Sequence, residues 1–125
     1  MLKKIILVAT LSAALVSTSF AAEKLRVGTE PTFAPFEFLD TKSNQITGFD
    51  IELIKAVGKK AGYEVEVSSM GFDALIPALS TGAIDVAAAG ISITEERQKK
   101  VDFTKPYYES GLSYLTLKKN ADRKS

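Results

Sequence analysis

The sequence contains neither cysteine nor histidine. Without cysteine there are no disulfides, and the lipid-modified cysteine of an exported lipoprotein is excluded. Without histidine, serine–histidine and cysteine–histidine catalysis are excluded, and histidine metal sites with them. A cation site made of carboxylates alone would need a spacing that the sequence does not present, so neither a metal nor a cofactor is expected. An excess of one charge is missing too. The formal net charge is +1, which gives no support to nucleic-acid binding. The one long apolar run, Ile5 to Val16, is too short to span a bilayer.

That run has the marks of an export signal. Lys3 and Lys4 precede it, and Ser19-Phe20-Ala21 follows it with small residues at the two positions a signal peptidase reads. A signal peptide over residues 1–21, cleaved after Ala21, is therefore expected, with no stable membrane insertion afterwards and a soluble product in a periplasm-like space. Cleavage removes two lysines and no acids, leaving 104 residues with 14 basic and 15 acidic side chains. Over all 125 residues, 46% are hydrophobic and 25% charged, an ordinary globular composition for one small domain.

The rest alternates between two periods. Leu25 to Thr29 reads as a strand, and Glu30 to Pro35, with two prolines, as an ordered loop. Phe36 to Leu39 and Ile46-Thr47 suggest a hairpin flap around the polar turn Asp40 to Gln45. Gly48 to Ala61 is the clearest helix. Its apolar stripe is read as Phe49, Leu53, Ile54, Ala56, Val57 and Ala61, with Asp50 and Glu52 solvated near its start. Tyr63 to Ser68 alternates strictly and suits a sheet edge. Asp73 to Thr81 reads as a second helix capped by Asp73 and loosened by Pro77. Ile84 to Ala89 reads as a strand covered on both faces. Thr94 caps a short helix with Glu95 and Glu96 in its first turn. Lys105 to Gly111 is an irregular aromatic segment in which Tyr107 and Tyr108 pack near a crossover. Leu112 to Leu117 reads as a strand leaving the unit.

Strand, helix, strand, helix, strand is the grammar of a parallel α/β sheet, and such sheets bind ligands outside the carboxyl ends of their strands. The loops expected there, side by side, are Glu30 to Pro35, Met70 to Phe72 and Gly90 to Thr94. Arg97 offers a planar fork of donors for a carboxylate. Ser92 adds a hydroxyl, and backbone N–H groups at the helix start add more. The Gly90 carbonyl can accept from an ammonium, Phe33 and Phe72 offer flat walls, and Glu30 offers a negative charge. The set fits a free amino acid. Each part taken alone has a plainer reading: Arg97 as a solvated ion-pair partner, the two phenylalanines as core, Glu30 as a surface acid.

Four ordered blocks carry a resemblance over nearly all of the chain beyond residue 21. They are Gly48-Phe49-Asp50-Ile51-Glu52-Leu53 with Val57-Gly58 and Ala61; Phe72-Asp73-Ala74-Leu75-Ile76-Pro77-Ala78-Leu79; Gly90-Ile91-Ser92-Ile93-Thr94-Glu95-Glu96-Arg97; and Val101-Asp102-Phe103 with Pro106-Tyr107-Tyr108 and Gly111. The sequence resembles the N-terminal part of the periplasmic polar amino-acid-binding proteins of ABC importers, the family 3 solute-binding proteins. The resemblance implies the first lobe of a type II, Venus-flytrap fold. Residues 22–111 would be the lobe, and 112–125 the crossover strand and a stub of an otherwise absent second lobe. It implies that Arg97 and Ser92 hold the ligand's α-carboxylate, that the Gly90 carbonyl takes the α-amine, and that Phe33 and Phe72 sandwich the side chain. Glu30 would face the ligand's polar end, where many members carry Asp; this is compatible with a cationic or amide side chain and leaves arginine, lysine, histidine and glutamine open.

The implied activity is binding of a free L-amino acid and its delivery to the membrane permease of an ABC importer, without catalysis. With one open lobe, a small hydrated zwitterion stays half in water, so the affinity expected of these 125 residues is roughly millimolar or weaker. Two other readings use the same scaffold: a periplasmic cyclohexadienyl dehydratase, and the sensor domain of a membrane receptor.

Overall fold

A computed structural model describes residues 21–111 together with 113, 115 and 117. The expected signal segment and most of the expected strand 112–117 lie outside the described residues. Among the described residues there are two three-stranded sheets. The first is parallel: β1 (Glu23–Thr29) lies between β5 (Tyr63–Ser69) and β6 (Val86–Ala87). β1 pairs along its whole length with β5, from Glu23 opposite Tyr63 to Thr29 opposite Ser69. It meets β6 only at Val27 and Gly28. The second sheet is the antiparallel flap β2 (Thr32–Phe33), β3 (Glu37–Asp40) and β4 (Gln45–Thr47). The expected hairpin is there, and part of the expected proline loop joins it, because Thr32 and Phe33 pair with Phe38 and Glu37.

Helix α1 (Phe49–Lys60) follows the flap, and α2 (Phe72–Ser80) links β5 to β6. The face of α1 that meets the sheet differs from the expected stripe. Asp50, Ile51 and Gly58 are buried, while Phe49, Ala56, Val57 and Ala61 are exposed. The helix sits so close to the sheet that a Cβ at Gly58 would collide with Val65, and this close approach sets the rotation. Asp73 is not the cap of α2. Gly71 holds the N-cap position, and Asp73 lies in the first turn. Pro77 is tolerated inside the helix. The apolar run 84–89 forms a ladder only at Val86 and Ala87; Ile84, Ala88 and Ala89 are buried without extending it, and Asp85 is exposed. The core gathers Leu75, Ile84 and Ala89, with Met70, Ala78, Leu79 and Ile91 against them.

At the amino end of the sheet, Asp85 clasps Arg26. Its Oδ2 accepts from the Arg26 backbone N–H at 2.8 Å and from Nε at 3.0 Å, and its Oδ1 accepts from Nη2 at 2.7 Å. These bonds hold the Asp85 carboxyl down at about 2. A depressed carboxyl stabilises the fold above its ordinary value of 3.8 and loses that effect as pH falls through about 2. The pair is solvent-exposed, which limits its worth. Asp85→Ala is expected to lower the melting temperature by only a few degrees at neutral pH, read by circular dichroism.

Candidate functional site

The three loops at the carboxyl ends of β1, β5 and β6 are built by different local rules. After β6, Gly90 turns with φ +54°, a conformation that favours glycine. Four residues later Thr94 caps α3 (Glu95–Gln98), its Oγ1 accepting the Arg97 N–H at 3.2 Å. The cap fixes where Arg97 starts. Its guanidinium then lies 5.3 Å from the centre of the Phe72 ring, and Nη1 donates to the Ser92 carbonyl at 3.0 Å. A cation over an aromatic face is held electrostatically as well as by contact. Among the described residues, the other donors of the fork make no hydrogen bond. Arg97 is half-buried rather than extended into solvent.

Phe33 meets the Gly90 turn directly. It is 53% exposed and stacks on Phe36 at 5.4 Å. Its ring edge would be 3.2 Å from a Cβ at Gly90, so the first and third loops touch. Phe33, Gly90 and Ser92 line a cavity of about 500 Å³, together with Phe36, Asp50 and Tyr107. That volume is within the range of small-molecule sites. Phe72 and Arg97 line a second hollow of about 530 Å³ with Ile76, Thr94 and Lys100. The six residues singled out from the sequence therefore fall into three places. Phe33, Gly90 and Ser92 share one cavity; Phe72 and Arg97 share the other and reach the first through the Ser92 carbonyl. Glu30 lines neither, and its Oε1 accepts from Thr32 Oγ1 at 2.8 Å. The two phenylalanines line different hollows in this arrangement.

Sequence reasoning missed the acids beneath the turn. Asp50, expected to be solvated, is 2% exposed, and Glu37 is 1% exposed. Asp50 Oδ2 accepts the Gly90 N–H at 2.7 Å and the Tyr107 hydroxyl at 3.0 Å. Its place in the first turn of α1 also suits a negative charge. Helical spacing held the signal: Asp50 precedes the buried Ile51 and stands four and eight residues before Ile54 and Gly58, on the same face. Glu52, by contrast, is exposed as expected. Tyr107 and Tyr108 pack as expected, Tyr108 edge-on to Phe36 at 4.9 Å and Tyr107 against Phe49 at 6.1 Å. Burial, then Asp50, push the Tyr107 hydroxyl up, so it stays a donor.

Burial first, then the charge and hydrogen bond of Asp50, and lastly Glu30, raise the Glu37 carboxyl from 4.5 to about 8. Between those values the folded protein holds a proton that the unfolded chain has released. The stabilisation from that proton is complete below about pH 4.5 and is lost as pH climbs through about 8. Melting temperature is therefore expected to fall from pH 5 to pH 8. One proton limits the slope to about 1.4 kcal/mol per pH unit. Glu37→Gln should flatten that part of the profile, and thermal melts at stepped pH check it.

Residues 25–124 match the family of bacterial extracellular solute-binding proteins, family 3. Among curated relatives, a probable histidine-binding protein of Campylobacter jejuni is 49% identical over 96 residues, 77% of this chain and 37% of its own. An arginine-binding extracellular protein of Bacillus subtilis is 46% identical over the same shares. The chain thus spans well under two thirds of these relatives' length. Among solved structures, an ancestral arginine-binding protein bound to arginine superposes with a TM-score of 0.66 at 57% identity, covering 69% of this chain and 38% of that one. The arginine-bound form of domain 1 from TmArgBP superposes with a TM-score of 0.66 at 46% identity, covering 68% of this chain and 67% of that one. These relatives are binding proteins rather than enzymes, and the α/β architecture is that of one incomplete lobe of the type II periplasmic-binding fold. The chain belongs to the bacterial extracellular solute-binding proteins of family 3.

Proposed function

We propose that this chain supplies the first-lobe half of a site for a free polar or cationic amino acid, captured outside the cytoplasm and handed to the permease of an ABC importer. Arg97 and Ser92 take the α-carboxylate, the Gly90 carbonyl takes the α-amine, and Phe33 and Phe72 close on the side chain from either side as the two hollows merge around it. Glu30 offers its charge toward the ligand's far end. Residues 22–111 form the lobe, and the chain from 112 onward begins the crossing to a second. Removal of residues 1–21 on export frees the protein from the membrane; among the described residues no helix is long and apolar enough to cross one. The role is binding without catalysis.

The observation that carries this reading is the Arg97 guanidinium held on the Phe72 face and bonded to the Ser92 carbonyl, beside the cavity of Phe33 and Gly90. Relatives named as histidine- and arginine-binding proteins, and one structural relative bound to glutamine, support a ligand of this polar or cationic class. That domain 1 of TmArgBP has an arginine-bound form supports some binding by a single lobe. The affinity expected of these 125 residues alone is roughly millimolar or weaker. Titration of the twenty amino acids, followed by backbone amide shifts, tests the proposal. Arginine, histidine, lysine or glutamine should saturate. Saturation by none of the twenty, or turnover of prephenate or arogenate, would overturn it.

A further inference from the structure

We propose that Asp50, joined to Glu37 through one shared proton, is a positioning residue of the amino-acid site, holding the Gly90 turn and tying it to the segment 103–110. The proposal rests on reading Gly90 as ligand-facing.

Three elements distant in the chain meet on one carboxyl oxygen. Asp50 Oδ2, from the first turn of α1, takes the Gly90 N–H at 2.7 Å and the Tyr107 hydroxyl at 3.0 Å. Gly90 stands at φ +54° and lines the cavity. The Gly90 N–H shares one peptide plane with the Ala89 carbonyl, so holding that N–H fixes the entry to the turn from which the Gly90 carbonyl projects. Asp50 therefore aims the group proposed to receive the ligand's ammonium without touching the ligand. Through Tyr107 the same oxygen grips the aromatic segment 103–110, which lines the same cavity.

The other oxygens explain why two acids share a dry place. Asp50 Oδ1 and Glu37 Oε2 are both buried and have no conventional donor among the described residues. Orphaned acceptors of this kind are costly. A proton on Glu37 Oε2, donated to Asp50 Oδ1, satisfies both at once. The titratable groups facing Glu37 are Asp50 from α1, Glu30 from the loop after β1, and Tyr107 from the segment 103–110. When the proton leaves, two carboxylates face each other out of water, as in other paired acids that cannot both ionise comfortably. Separation relieves them, and it draws Asp50 away from the Gly90 amide. The turn is held only while the proton is in place.

Asparagine at position 50 separates positioning from charge. Its carbonyl oxygen can accept both bonds now made by Oδ2, and its amide can donate to Glu37 without a shared proton. Asp50→Asn should therefore keep the turn and lose the pH dependence, whereas Asp50→Ala should lose the turn. The experiment is amide hydrogen exchange by NMR on the purified protein from pH 6.5 to 9, with protection of Gly90 taken relative to β1 amides, alongside arginine titrations under the same conditions. In the unaltered protein, Gly90 protection should fall about tenfold over that range, and Asp50→Asn should hold it level. Dividing arginine affinities by those of Asp50→Asn cancels the ligand's own amine titration; the ratio should fall with Gly90 protection. Asp50→Ala should bind arginine about tenfold more weakly or worse at every pH. Equal Gly90 protection at both ends of the range in the unaltered protein, or the same fall in Asp50→Asn, overturns the proposal. So does undiminished arginine affinity in Asp50→Ala. Should Asp50→Ala not fold, the Asp50→Asn comparison decides alone. Should no amino acid bind while Gly90 behaves as expected, the functional reading fails and the site role with it, while the proton-dependent hold of Asp50 on the Gly90 turn stands.

Discussion

Replacing Arg97 by alanine is expected to abolish measurable amino-acid binding while leaving the fold intact. Arg97 lies on α3 and packs over one aromatic face, outside the core of Leu75, Ile84 and Ala89. Its loss therefore costs little stability. The ligand loses far more. A carboxylate that enters a partly dry site without its fork of donors leaves charge uncompensated, and truncating one partner of such a pair costs about 2–5 kcal/mol. That corresponds to a roughly thirtyfold to thousandfold loss of affinity. Arg97→Lys keeps the charge but not the two parallel bonds or the stacking on Phe72, so it should recover only part of the loss. Amide-shift titration with arginine reads all three proteins. An Arg97→Ala protein within a few-fold of the original would remove Arg97 from the site.

Gly48→Ala is expected to be the most damaging small change to the fold. Gly48 is the N-cap of α1, with φ 122° and ψ 176° and no side-chain cap. L-residues essentially do not adopt that conformation. The backbone there is also crowded. A Cβ would strike the Phe36 carbonyl, with the Pro35 oxygen 2.9 Å away. Those two carbonyls accept the Phe49 and Asp50 N–H groups at 2.9 Å each, answering the open donors at the helix start that a capping side chain would otherwise serve. An alanine must therefore push the flap off the helix, strain its own backbone and free two bonds. The combined cost is about 3–4 kcal/mol, equivalent to a fall in melting temperature of at least about 12 °C for a domain of this size. Urea denaturation checks it; a loss under about 1 kcal/mol would contradict the docking described.

The same corner marks where the sequence was readable and where it was not. Local signals worked for local features. The alternation of Tyr63 to Ser68, the Thr94 cap and the extent of α1 are all within a residue or two of the structure. The rotation of α1 was not legible, because a glycine at a point of close approach carries no hydrophobic signal. Gly58 therefore left the exposed Val57 looking like the core residue. Asp50 looked solvated because its partners, Gly90 and Tyr107, stand 40 and 57 residues further on. The strand at 84–89 was overextended because burial alone does not make a ladder: Ile84, Ala88 and Ala89 are covered by side chains rather than paired along both edges. Of the candidate site, Phe33, Gly90 and Ser92, which line one cavity, could be picked out by type and order; that Phe72 and Arg97 line a second hollow and Glu30 neither could not. What lies beneath the turn, the Glu37–Asp50 pair, depends on contacts between elements and was not legible.

The grip on the ligand's acid end is tested most directly by one comparison, L-arginine against L-argininamide, titrated into the protein under the same conditions. The two ligands share the side chain and the α-amine and differ only where Arg97 and Ser92 are proposed to bind. Binding of arginine at least about thirtyfold tighter than the amide is the predicted result. Equal affinities would mean that no carboxylate is held at Arg97 and would contradict the account.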